Sequence, residues 1–333
     1  MLTYNMLKSK KFWGIVTSFL FFVLALRGID FAKLPTIISN ISWSYLLLIF
    51  LSTLLEHYTR AVRWKALLYG KELTIKNSFY ATVLGYFFNN LLPARAGEFI
   101  KAWFLKNKGA ASAGEALGSV VIERFLDGIL TLGLMCFSLN LFASNPLIER
   151  AAWITLFFYA IVLIFIISVF FWQKKFNELS KKIFSLLPER FSKILDKSFN
   201  AFMDGLVLFA GNKKAFILSI VWTIISWTAT FLTIGLWCKM FDLKLDFSGI
   251  SFILIVLAIG SMIPSSPGNL GIYEYSCVLA LHNVLGYSSE IAASFGIISH
   301  IIGYIFIAIE GFTILTLENI SVKEIQNSSN LQK

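Results

Sequence analysis

Two short stretches of this chain place proline, glycine and charged side chains inside otherwise apolar sequence. The first reads Asn89-Asn90-Leu91-Leu92-Pro93-Ala94-Arg95-Ala96-Gly97-Glu98; the second reads Pro264-Ser265-Ser266-Pro267-Gly268-Asn269-Leu270-Gly271-Ile272-Tyr273-Glu274. Both run through proline, then glycine, then glutamate. Pro93 and Gly97 in the first, and Pro264, Pro267, Gly268 and Gly271 in the second, open the backbone and shape a hairpin tip. The freed N–H groups and the positive ends of adjoining helices suit a phosphate or another anion. Asn89 and Asn90 can satisfy freed backbone groups, while Arg95 and Glu98 put charge where hydrocarbon makes it costly. The competing account is that proline and glycine only shape the turns and that Arg95 pairs with Glu98.

A third cluster is Glu123-Arg124-Phe125-Leu126-Asp127. Glu123 and Asp127 are four apart and share a helical face, whereas Arg124 points about 100° away. If that face meets the first tip, the carboxylates can bridge to Arg95, while Arg124 and Arg95 receive a phosphate through their planar forks. An ion-pair network that only holds helices together fits the same residues. Glu274 on the second tip could balance charge or receive a cationic group. His300 and Glu310 fall in the last apolar segment, where each could carry a proton or make a structural polar contact. Ten residues apart, they lie about 15 Å along a helix and do not touch. Arg60, Arg63 and Trp64 read as an anchoring collar at a membrane interface, with headgroup recruitment as the alternative.

Enzyme and metal chemistry find little support. His57, His282 and His300 are scattered, and no HExxH, Walker A loop, GxSxG or dinucleotide fingerprint occurs. Cys136, Cys238 and Cys277 lie apart in apolar stretches and read as small buried hydrophobes. No catalytic residue, metal or cofactor is expected.

The elements that must position these groups follow from composition. Of 333 residues, 57% are hydrophobic, 16% aromatic and 14% charged, and the mean hydropathy is +0.74. A water-soluble fold could not bury so much apolar side chain, so lipid must cover part of it. The net charge of +10 then marks cytoplasmic loops and anionic headgroups rather than nucleic acid. Crossing about 30 Å of hydrocarbon takes roughly 20 apolar residues. Windows 12–26, 36–55, 116–141, 151–172, 215–237 and 291–317 meet or approach that, which predicts about six transmembrane helices. The first window ends at Arg27 without a small-residue cleavage site and is read as an uncleaved helix. Windows 78–92 and 250–263 are too short to cross, and each ends beside a proline.

Charge sets the orientation, because 21 of the 29 lysines and arginines fall in segments 1–11, 56–77, 94–115 and 173–214. For 56–77 and 94–115 both to be cytoplasmic, 78–92 must dip in and return through 99–105. The second half repeats this order with 250–263 returning through 275–285, starting from the opposite side. The expected fold is therefore an all-α polytopic membrane protein in which six crossings and two re-entrant helical hairpins form an inverted repeat. Paired broken segments of this kind point to a transport site near the bilayer midplane. Residues 1–317 read as one integral-membrane domain, with half 1 at 12–143 and half 2 at 151–317. Residues 173–214 read as a cytoplasmic amphipathic connector, and 318–333 as a polar tail. The N-terminus is expected in the cytoplasm and the protein in the inner (cytoplasmic) membrane, multi-pass.

The blocks NNLLPARAGEFIKAWFL, VIERFLDG and IPSSPGNLGIYE closely resemble the transmembrane region of lysylphosphatidylglycerol synthases and its stand-alone flippase-like relatives, over residues 10–317. That resemblance implies a lipid-handling domain, which in the full synthases moves aminoacylated phosphatidylglycerol between leaflets while a separate soluble domain attaches the amino acid. It also implies motif positions at Asn90, Pro93, Arg95, Gly97, Glu98, Glu123, Arg124, Asp127, Pro264, Pro267, Gly268, Gly271 and Glu274. Lys101 stands where relatives often carry arginine, keeping the charge and losing the fork. The expected partners are membrane lipids, either an anionic or aminoacylated phospholipid or a polyprenyl-phosphate-linked lipid, with a separate lipid-modifying enzyme. The expected function is a lipid flippase or headgroup translocase. Its rivals are a membrane-embedded transferase acting on a lipid or lipid-linked sugar, and a non-catalytic subunit of a lipid or cell-envelope synthesis complex.

Overall fold

The computed structural model describes residues 19–92, 96–137, 172–186, 212–263 and 266–320, with isolated positions between 146 and 203. These residues form helices and short turns, and no strand occurs among them. In chain order the helices are α1 (Leu34–Asn40), α2 (Leu46–Leu67), α3 (Ile75–Leu91), α4 (Gly97–Asn107), α5 (Ala113–Phe137), α6 (Gln173–Phe184), α7 (Lys213–Met240), α8 (Phe247–Gly260), α9 (Ile272–Val278) and α10 (Ser289–Leu317).

The exposed faces of the long helices are apolar. On α10 the exposed positions include Ile301, Ile305, Ile309 and Phe312, and on α7 they include Ile217, Val221, Ile224 and Leu232. Spacings of three, four and eight put each set in one stripe along its helix. Such stripes suit a hydrocarbon surrounding. Helices α7 and α10, at 28 and 29 residues, are each long and apolar enough to cross a membrane.

The expected crossing over 36–55 is not one straight helix. Phe31–Asn40 and Trp43–Leu67 meet at 63°, and the bent pair is long and apolar enough to cross a membrane if it acts as one span. The break falls at Ile41 and Ser42, with no proline or glycine to mark it, and the Ser42 N–H donates to the Met240 carbonyl at 2.9 Å. Helix α2 also continues to Leu67, well past the expected end at Leu55. The expected crossing over 116–141 corresponds to α5, which carries Glu115, Glu123, Arg124 and Asp127. The windows 12–26 and 151–172 lie mostly outside the described residues, as do 187–211 of the connector and the tail from 321. The described start of the connector, α6, is amphipathic, with Leu179 and Ile183 exposed among its lysines.

Both short segments fold back on themselves. Helix α8 is capped by Asp246, whose carboxylate accepts from the Gly249 N–H at 2.8 Å. After the turn at Pro267–Asn269, α9 and the π-helical turn Leu279–Val284 run back along α8. A Cβ on Gly260 would lie 2.3 Å from Ser276 Oγ, and at the other end the Tyr287 hydroxyl donates to Lys244 O at 3.4 Å. Helices α3 and α4 pack as closely, since a Cβ on Gly97 would lie 1.9 Å from Gly85 O.

The chain divides into two compact units: residues 1–55, 80–100 and 230–333 in the first, and 56–79 and 101–229 in the second. In the first unit, α10 is the shared packing surface. Phe306 meets Phe50, Phe295 meets Phe241, Gly296 receives Cys277, and Gly311 and Phe312 receive Phe87. In the second unit, α5 begins with a capping box: Glu115 N–H donates to Ser112 Oγ at 3.2 Å, and Ser112 N–H to Glu115 Oε2 at 2.9 Å. Lys71 pairs with Glu115 at 2.6 Å.

A Cβ on Gly311 would lie 2.5 Å from Phe87 Cγ. Gly311→Ala should therefore lower the thermal midpoint of the detergent-solubilised protein, with an overpacking cost on the order of 1–3 kcal/mol. Adding Phe87→Leu should recover much of that loss. Burial pushes the Glu115 carboxyl up, but hydrogen bonds from Lys71 and Ser112 outweigh it and hold the group below its ordinary 4.5. With the folded value below the unfolded one, its contribution is full above that range and is lost as pH falls through the folded value. Thermal scans at descending pH should show a decline in this acid range that is shallower in Glu115→Gln.

Candidate functional site

The second unit is organised around a line of polar residues inside α5. Ser119, Glu123, Asp127 and Thr131 recur every four positions, share one face and are all buried. Arg63 of α2 is wholly buried against that face, with Nη2 donating to Glu123 Oε1 and Nη1 to Asp127 Oδ1, each at 2.5 Å. The planar guanidinium thus spans two carboxylates one helical turn apart. Lys101 of α4 donates to the other Glu123 oxygen at 2.9 Å and stands 4.0 Å over the Trp64 ring. Trp64 donates to Ser119 Oγ at 2.7 Å, and Trp227 of α7 donates to Asp127 Oδ1 at 2.9 Å. Four helices therefore meet on two carboxylates.

Arg124 curls back over its own helix and reaches Glu123 Oε1 and Asp127 Oδ2, both at 3.4 Å. The length of the side chain overrides the divergence a helical wheel gives it. Its side chain is 39% exposed, against 0% for Arg63. Next to the cluster, Arg60 pairs with Glu56 at 2.9 Å.

Arg63 and Trp64 correct the sequence expectation. As an interfacial collar they would be exposed, but both are 0% exposed and belong to the cluster. The carboxylates expected to bridge to Arg95 are held by Arg63 and Lys101. Arg95, with Pro93 and Pro264, lies outside the described residues. The available signal for Arg63 was its place one turn after Arg60 in a helix that never becomes polar all round, and the assumed helix end at Leu55 hid it.

At the first apex, the Gly97 N–H donates to Asn89 Oδ1 at 2.8 Å, so an amide from one helix satisfies the start of the next. Asn90 is half-buried beside it, and Glu98 is half-buried in the first turn of α4.

The second apex is built differently. Gly268 and Gly271 have φ of +68° and +82°, where glycine is favoured. The Gly271 N–H donates to Glu274 Oε2 at 2.7 Å, closing the start of α9. His300 Nδ1 meets Glu274 Oε1 at 2.7 Å, and its Nε2 meets Gly268 O at 3.0 Å. The imidazole is stacked on Tyr273 at 4.4 Å and edge-on to Tyr304, whose hydroxyl donates to Pro267 O at 3.2 Å. His300 and Glu274 were separate candidates in the sequence, and the fold joins them. Glu310 is buried on α10 and is not among the partners of His300. Among the described residues, no three His, Cys, Asp or Glu side chains are grouped to hold a metal ion.

Residues 11–311 match the family described as Lysylphosphatidylglycerol synthase TM region. The chain belongs to this family. As a lysylphosphatidylglycerol synthase TM-region protein with lipid-facing helices, it is a membrane protein. It is 24% identical over 311 residues to UPF0104 membrane protein MJ1595 of Methanocaldococcus jannaschii, covering 90% of this chain and 92% of that one. It is also 25% identical over 230 residues to UPF0104 membrane protein MJ1078 of the same organism, covering 68% of this chain and 91% of the relative. No solved structure matches it significantly.

Removing Arg63 would leave Glu123 and Asp127 short of their main counter-charge inside the protein. Arg63→Ala should destabilise the fold by about 3–5 kcal/mol. Arg63→Lys should recover only part, because one ammonium cannot fork to both carboxylates. Thermal unfolding in detergent checks both, and equal midpoints for Ala and Lys would refute the forked-pair account.

Proposed function

We propose that this protein is a lipid translocase that carries a phosphate-bearing headgroup between leaflets while the acyl chains stay in the bilayer. The observation that carries this reading is Arg124, a guanidinium fixed in a buried charge cluster yet exposed along its flank. Ionised side chains at membrane depth are costly and mark substrate paths more often than they stabilise a fold. A headgroup crossing unaided loses its hydration, and a polar route supplied by the protein offsets that cost.

In this reading Arg124 and Arg95 receive the phosphate. Asn89, Asn90 and Glu98 line the first apex, and Glu123, Asp127 and Glu274 balance charge. The substrate class is an anionic or aminoacylated phospholipid, or a polyprenyl-phosphate-linked lipid, supplied by a separate lipid-modifying enzyme. The fold behind it has the two helix pairs re-entering the membrane from opposite sides as halves of an inverted repeat with six crossings. The setting is the inner membrane with a cytoplasmic N-terminus, so a cysteine at Ser112 should label from the cytoplasmic side.

The closed pairing of Arg63 with two carboxylates favours a second reading, a non-catalytic subunit whose charges only hold helices together. Leaflet exposure of labelled phosphatidylglycerol and lysyl-phosphatidylglycerol in proteoliposomes separates the two. Losing a charge-assisted contact to phosphate is worth about 1.5–3 kcal/mol, so Arg124→Ala should slow exchange on the order of ten- to a hundredfold. Arg95→Ala should act in the same direction. Unchanged rates in these variants and in Glu274→Gln would favour the subunit, and a change in the mass of the lipid would point to a transferase.

A further inference from the structure

We infer that His300 and Glu274 form a proton-binding site that latches the apex of the second helix pair, and that a proton is the ion coupled to its opening. The inference extends the translocase reading by naming the coupled ion, but the latch itself stands on geometry alone.

Glu274 Oε1 lies 2.7 Å from Nδ1, and the Gly268 carbonyl, which can only accept, lies 3.0 Å from Nε2. Both contacts are satisfied in two ways. An imidazolium can donate from both nitrogens to a carboxylate and a carbonyl, or a protonated Glu274 can donate to Nδ1 while Nε2–H donates to Gly268. The two arrangements hold the same number of protons, and the pair as a whole is neutral. Remove one proton and a neutral imidazole with one N–H faces two acceptors. If the hydrogen stays on Nε2, the Nδ1 lone pair confronts the carboxylate; if it stays on Nδ1, the Nε2 lone pair confronts Gly268 O. One contact must open.

What opens is the apex. The other carboxylate oxygen is held by the Gly271 N–H at 2.7 Å, so Glu274 is tied to the start of α9. Gly268 belongs to the turn Pro267–Asn269, and a Cβ there would lie 1.3 Å from the Tyr304 hydroxyl. Its carbonyl and that of Pro267 are the turn's links to His300 and Tyr304 of α10. Among the described residues, the titratable groups around the pair are Tyr273 and Tyr304, whose rings contact His300, and Cys277 of α9, which interacts electrostatically with Glu274. Tyr273 is engaged with Ser299 Oγ at 3.1 Å, and no Lys or Arg contacts the pair among the described residues. Among the described residues, then, no cation in contact with the pair replaces the missing proton.

The test uses the full chain in lipid nanodiscs with a nitroxide on Ser266→Cys, read by spin-label mobility between about pH 5 and pH 9. The expected result is an apex that is immobile at low pH and gains a mobile component as pH rises. His300→Gln and Glu274→Gln should each abolish this pH dependence. Arg124→Ala should keep it while slowing lipid exchange, so failure of the headgroup reading and failure of the latch are told apart. A label whose mobility is unchanged across the range in the otherwise unaltered protein would overturn the proposal, as would a transition that survives in both pair variants.

Discussion

The structure depends on one guanidinium placed between two carboxylates. Arg63 is wholly buried, and so is nearly all of Glu123, in a protein whose outer faces are hydrocarbon-compatible. Neither charge could be left there alone, because the interior offers no water to solvate it. Arg63 meets α5 at two points a helical turn apart, which fixes both the rotation and the axial position of α2 against it. Lys101 and Trp227 bring α4 and α7 to the same two acids. Apolar packing alone would tolerate sliding of these helices, whereas the charge pairs permit one register.

Much of this was legible in the sequence, and the limits have physical causes. Apolar run length located α7, α8 and α10, and Pro267 with Gly268 located the turn before α9. The four-residue spacing of Glu123 and Asp127 gave their shared face. Their partner was not legible, because the arginines of α2 looked like interfacial anchors. The bend at Ile41 and Ser42 was equally hidden, since what stabilises it is a hydrogen bond to Met240, about 200 residues away in the chain. His300 and Glu274, 26 residues apart, carry no sequence signal of their contact. Long-range pairing of polar groups is the information that local patterning lacks.

The two apices solve one problem with different chemistry. Where a helix pair turns, the first backbone groups of the returning helix need partners. At Gly97 the partner is the neutral amide of Asn89. At Gly271 it is the Glu274 carboxylate, which then needs a counter-group, and α10 supplies His300. The start of α4 is thus capped from within its own helix pair, whereas the cap of α9 takes its counter-group from another helix.

Helix α10 touches both pairs, holding the second apex at His300 and Tyr304 and the Phe87 ring of α3 at Gly311. These points are separated by about 11 residues, or roughly 16 Å of rigid rod. A rod gripped at two stations behaves as a lever: rocking it about one station must carry the other through an arc. The absence of a side chain at Gly311 lets the Phe87 ring bear directly on the rod, as a fulcrum does. Displacement at one turn can thereby reach the other pair mechanically, without a chain of polar groups to relay it.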